Sequence, residues 1–96
     1  MKEVIRMLLD KDAIAAEIKA KIVEIAAQTG DDASSLEMDE IIPATGLIDS
    51  TGLLELIAWY EKHYAIPLAQ EEINIDNLGS LTRMAEFVLR KKQAAA

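Results

Sequence analysis

Cysteine is absent from this chain of 96 residues, histidine occurs once, and aromatic residues make up only 4% of it. Without cysteine there is no disulfide framework and no thiolate metal site, and the composition suits a reducing cytosol. A lone histidine, His63, assembles neither an imidazole metal site nor a Ser–His pair with an orienting carboxylate, so its default reading is a surface or half-buried side chain. Long apolar runs are also missing. Lys, Glu and Asp interrupt every stretch well short of the roughly 18 apolar residues that a membrane span needs. The first ten residues contain Glu3, Arg6 and Asp10 and no small-residue cleavage site, so they do not read as a signal peptide. Positive charge is scarce: 10 Lys+Arg against 17 Asp+Glu give a formal net charge of −7. That balance repels nucleic-acid phosphates and anionic lipids, and favours partners with basic patches. Adjacent acids at Asp31-Asp32, Asp39-Glu40 and Glu71-Glu72 point different ways from one another, and make poor general acid–base pairs. No glycine-rich phosphate loop and no basic-aromatic stripe is present.

What remains is 51% hydrophobic residues in a chain long enough for one modest core and too short for a deep, walled cavity. Ile14, Ile18, Ile22 and Ile25 recur at spacings of three and four, which predicts an amphipathic helix over Asp12–Gln28. Asp12 is its expected N-cap, Glu17 and Lys21 form a favourable pair one turn apart, and Thr29-Gly30 ends it. From Gly30 to Asp49 the period lapses among turn residues, which predicts a long loop pinned by Leu36, Met38, Ile41-Ile42 and Leu47-Ile48. Asp49 or Ser50 opens a second helix with Leu53, Leu56, Ile57, Tyr60 and Tyr64 on its buried face. Thr51, Leu54, Glu55 and Ala58 fall on the other side, so Leu54 and Ala58 leave a small apolar patch beside Ser50. Trp59 lies off the core stripe and is expected against the loop or the first helix. Pro67 closes this region, a short helical turn is expected at Glu71–Ile75, and a last helix runs from Ser80 to about Lys92 with Leu81, Met84, Phe87 and Val88 inward. The fold class is therefore all-α: a small bundle of three main helices plus one short one, with a long loop between the first two. The loop and the Glu71–Ile75 segment are expected to move more than the helices.

The stretch Gly46 to Ile57, reading Gly-Leu-Ile-Asp-Ser-Thr-Gly-Leu-Leu-Glu-Leu-Ile, resembles the modification site of the acyl and peptidyl carrier proteins. The resemblance runs from about Ala13 to Lys92. It takes in the helix order, the long loop, the Tyr64-Ala65-Ile66-Pro67 stretch and the Asn77-Leu78-Gly79-Ser80-Leu81 entry to the last helix. It implies residues 1–12 as an N-terminal helical extension, 13–92 as a carrier domain and 93–96 as a frayed tail. It also implies that Ser50 carries a covalent 4′-phosphopantetheine arm from coenzyme A, whose thiol holds an acyl or aminoacyl group as a thioester. Asp49 then contacts the transferase, and Thr51, Leu54, Glu55 and Ala58 form the partner face. Thr51-Gly52 after the serine, with Glu55 the only acid between Ser50 and Tyr60, looks more like the stand-alone D-alanyl and other aminoacyl carriers.

The implied protein is a cytoplasmic, monomeric substrate holder in biosynthesis rather than an enzyme. Its implied partners are a phosphopantetheinyl transferase, an adenylating or acyl-transferring loading enzyme and a downstream acceptor enzyme. Each residue also has a plainer reading. Ser50 and Asp49 can be simple helix caps, Leu54 and Ala58 can pack on the loop, and Glu55 can be a solvated acid. The alternative function is an unmodified helical interaction module on the same fold, and fold alone does not separate the two. A small hydrolase using Ser50 lacks a neighbouring base.

Overall fold

The computed structural model describes residues 10–95, and side-chain surroundings as far as Lys92. Most of the expected extension, residues 1–9, lies outside these residues, and Lys11 and Asp12 belong to the first long helix. The described chain is all-helical: α1 (Lys11–Gln28), α2 (Ile42–Thr45), α3 (Ser50–Tyr64), a 3₁₀ turn (Gln70–Glu72), α4 (Ile75–Leu78) and α5 (Leu81–Ala95). Three of these are long, as the periodicity predicts, and together they make a small helical bundle in which α1 packs on both α3 and α5. Among the described residues, no helix is long and apolar enough to cross a membrane.

In α1 the four isoleucines are all buried, and Ala15 and Ala26 join them. The cap is Asp10 and not Asp12: the Asp10 carboxylate accepts from the Asp12 N–H at 3.0 Å, and the Asp10 carbonyl accepts from the Ile14 N–H at 2.9 Å. The far end closes as Thr29-Gly30 predicts. Gly30 sits at φ 82, its N–H donates to the Ala27 carbonyl at 3.1 Å, and the Asp31 N–H donates to the Ala26 carbonyl at 2.9 Å. This six-to-one, five-to-two pair satisfies carbonyls the helix leaves open.

The connection after α1 is not wholly a loop. Pro43 sits in the first turn of the four-residue α2, a place where its missing N–H costs nothing, and Gly46 leaves it at φ 72. Ala33, Leu36, Ile42 and Ile48 are buried, and the Ile42 N–H donates to the Gly79 carbonyl at 2.8 Å while the Thr82 N–H donates to the Met38 carbonyl at 3.0 Å. The connection is thus anchored to the start of α5 more firmly than its turn-rich sequence suggests.

The short helix expected at Glu71–Ile75 is instead two pieces, the 3₁₀ turn and α4. Asn74 caps α4 by accepting from the Asn77 N–H at 2.9 Å. α5 begins behind Ser80, a buried N-cap whose hydroxyl accepts from the Arg83 N–H at 3.2 Å. Its predicted inner face, Leu81, Met84, Phe87 and Val88, is buried throughout, and the helix continues past Lys92 to Ala95.

Candidate functional site

The site is built at the head of α3, where the chain leaves the loop after the buried Ile48. Asp49 is extended, at φ −88 and ψ −174, and its carboxylate accepts from the Gly52 N–H at 2.8 Å. The Asp49 carbonyl takes the Leu53 N–H at 2.8 Å, the first bond of the helix. Asp49 is therefore the cap, which leaves Ser50 as the first helical residue with its hydroxyl free of that task. Among the described residues, nothing accepts a hydrogen bond from the Ser50 hydroxyl or from the backbone N–H groups of Ser50 and Thr51. Those N–H groups are the open donors that every helix start presents, at the positive end of its dipole.

Gly52 explains how α3 comes so close to α1. It is buried, and a Cβ added there would stand 2.9 Å from Ile25 Cγ2 and 3.3 Å from Ile48 Cβ. Only a residue without a side chain lets the first turn of α3 rest on α1 while Asp49 reaches back to cap it. In the sequence Gly52 stands out only as part of the Thr51-Gly52 pair that follows the serine. Its placement inside the first turn of a helix, where glycine is disfavoured, was the available signal.

Asp49, Ser50, Thr51, Leu54, Glu55 and Ala58 are all exposed. The structure brings them together along the outer side of α3, as the helical angles predict. Leu54 is the extreme case, 69% exposed despite its size. Neither Asp49 nor Glu55 has an ion-pair partner among the described residues. A cleft of about 90 Å³ beside Ser50 is bounded in part by Thr29, Asp49, Thr51 and Glu55. Its two carboxylates make it a poor pocket for an anion, so a charged group attached at Ser50 would face solvent.

Other residues behave differently from expectation. Leu53 and Ile57 are only half-buried, and they line an apolar groove of about 160 Å³ whose opposite wall includes Ile73 and Ile75. Trp59 is half-buried against the core and stacks on His63, one turn along its own helix, with centroids 4.7 Å apart and an interplanar angle of 14°. Glu17 does not pair with Lys21. Its carboxylate accepts from the Tyr64 hydroxyl at 2.9 Å and lies 3.6 Å from His63 Nε2, while Lys21 pairs with Glu24 at 3.4 Å.

Ser50 and His63 are not brought together. His63 lies thirteen residues beyond Ser50 on one helix, about 20 Å along its axis. The Asp49 carboxylate is engaged by a backbone N–H. Among the described residues, no group of three or more His, Cys, Asp or Glu side chains could hold a metal ion. Comparison with protein-family models, curated proteins and solved structures found no significant match to this chain.

Proposed function

We propose that this chain is a carrier: Ser50 receives a phosphopantetheine arm from coenzyme A, and the chain presents an acyl or aminoacyl thioester on that arm to successive partner enzymes. The observation that carries the reading is the division of labour at the head of α3. Asp49 does the capping, so the plainer role available to Ser50 is already filled, and an exposed hydroxyl is left beside two open N–H donors. The Asp-Ser signature and helix order supply the chemical identity of the attached group, and the geometry fits it. The arm's phosphodiester would sit by the N–H groups of Ser50 and Thr51, at the favourable end of the helix dipole. When bound, the arm supplies the thiol that this cysteine-free chain lacks.

The protein's own part is attachment and recognition. Leu54 offers a protruding apolar contact, Thr51 and Ala58 extend the surface at low bulk, and Asp49 and Glu55, which have no ion-pair partner among the described residues, favour a socket with a basic rim. Such a patch suits the brief contacts of a cytoplasmic monomer that must leave each partner after transfer. The partners in this reading are a phosphopantetheinyl transferase, an adenylating or acyl-transferring loading enzyme and a downstream acceptor. The exposure of Leu54 also favours a second reading, an interaction module that uses the same face with Ser50 unmodified.

Thiol counting separates the two readings. After incubation with coenzyme A and a broad-specificity transferase, followed by removal of small molecules, the carrier reading predicts one thiol per chain where there was none. It predicts none on Ser50→Ala. A folded wild-type chain that gains no thiol while a control carrier is loaded would leave the interaction module as the better reading.

A further inference from the structure

From Pro67 to Asn77 no side chain is buried, and Leu78 is the first to return to the core. Leu68 is half-buried against the core, and between it and Leu78 no apolar side chain is buried, so what holds the segment lies elsewhere. Lys91 Nζ on α5 meets Glu72 Oε2 at 2.5 Å. Arg83 Nη1 lies 3.3 Å from Asp76 Oδ1 and 3.5 Å from the Ile75 carbonyl oxygen. Arg90 Nη2 donates to Asn77 Oδ1 at 3.3 Å. Three cations on one helix thus grip successive points of the segment. Its ends are fixed differently: the Leu68 N–H donates to Glu61 Oε2 at 3.2 Å, and the Gly79 carbonyl accepts from Ile42.

Inside, the segment is braced by its own bonds. Glu72 Oε1 accepts from the Ala69 N–H at 2.9 Å, Asn74 Nδ2 donates to the Glu71 carbonyl at 2.9 Å, and Asn77 Nδ2 donates to the Glu72 carbonyl at 3.1 Å. These are local turn and cap bonds, too few to hold so short a segment in shape without its ties to α5. Ile73 and Ile75, 40% and 54% exposed, form its wall of the apolar groove, and Met84, 1% exposed, lines the same groove.

We propose that residues 69–77 form a strap, fastened to α5 by Arg83, Arg90 and Lys91, which loosens when those ties are weakened and so opens the groove between α3 and α4. The Arg83–Asp76 pair is exposed and the Lys91–Glu72 pair half-buried; surface pairs of this kind hold weakly and are screened by salt, whereas buried apolar contacts are not, so the strap's closure is governed by ionic strength and by the charges on α5. The inference stands apart from modification of Ser50, because it is read on the unmodified chain.

Hydrogen exchange and methionine oxidation test it together. Wild type is compared at about 0.01 M and about 1 M salt, where the screening length falls from about 30 Å to about 3 Å. Lys91→Gln and the Arg83→Gln/Lys91→Gln double variant are added at low salt. The amides of Glu72, Ile73, Asn74 and Leu78 are expected to exchange several-fold faster in high salt and in the variants, with those within α1, α3 and α5 unchanged. Met84 is expected to form sulfoxide with peroxide correspondingly faster, while Met38 does not change. Strap exchange indifferent to salt and charge removal, or accelerating only together with the three long helices, would overturn the strap. An unchanged Met84 oxidation rate would overturn the opening of the groove. The salt comparison on wild type decides the matter even if the double variant does not fold.

Discussion

At the scale of single residues, the structure turns on which of two neighbouring polar side chains does which job. Asp49 caps and Ser50 is left free; at the other end of the fold Asp10 caps, although Asp12 is also available. The sequence narrows each choice to a pair and goes no further, because a cap needs extended backbone at the capping residue, and that is set by how the preceding chain enters the helix. Ala65 shows the same limit. It ends α3 at φ 53, with the Ile66 N–H donating to the Glu61 carbonyl at 3.1 Å and the buried Ile66 completing the motif. This is the left-handed position that Gly30 fills after α1, and nothing in an alanine announces it. A Cβ there costs about 1 kcal/mol or more. Ala65→Gly is therefore expected to stabilise the protein by about 1 kcal/mol in urea unfolding; an unchanged or lower midpoint would show that the alanine is unstrained.

Among the elements, the three long helices were legible because their inward residues repeat at the helical period over about two to three turns, and every predicted inner residue of α1 and α5 is buried. The short elements were not. α2 and α4 have four residues each, too few to show a period, and they exist because tertiary bonds such as Ile42 N–H to the Gly79 carbonyl hold them. Side-chain partners across helices were equally hidden: Glu17 is drawn from Lys21 to Tyr64 and His63 by the packing of α1 on α3. That packing has a pH consequence. Tyr60 donates to the Met84 carbonyl at 2.7 Å, tying α3 to α5, and Tyr64 donates to Glu17, tying α3 to α1. Burial pushes the Tyr60 hydroxyl well above the usual phenol range, against a smaller opposing pull from Arg90. Burial first, and then the bond to Glu17 and its charge, push Tyr64 the same way. A raised pKa in the fold favours the neutral form. Its stabilisation is therefore complete below the unfolded value of about 10 and is lost as pH climbs above it. Urea midpoints should fall above about pH 10, and the fall should be shallower in the Tyr60→Phe/Tyr64→Phe double variant; an equal fall in both proteins would contradict this account.

For the whole molecule, the charge is unevenly employed. The cations Arg83, Arg90, Lys91 and Lys11 all meet partners on or from α5, whereas Asp49 and Glu55 beside Ser50 have no ion-pair partner among the described residues. With a net charge of −7, the face around Ser50 is available for a partner of opposite sign, and long-range attraction would speed the encounter. The bundle itself was readable from length, periodicity and composition. The proposed function rests on a short motif and on a serine that the local geometry leaves unoccupied, and such a motif acquires meaning only through chemistry performed on it. Peptide-level mass spectrometry after loading from coenzyme A by a phosphopantetheinyl transferase tests that claim most directly. One phosphopantetheine located on Ser50, with no other residue modified, is the predicted result. No adduct under conditions that load a control carrier, or an adduct placed on another residue such as Ser34 or Thr51, would contradict it.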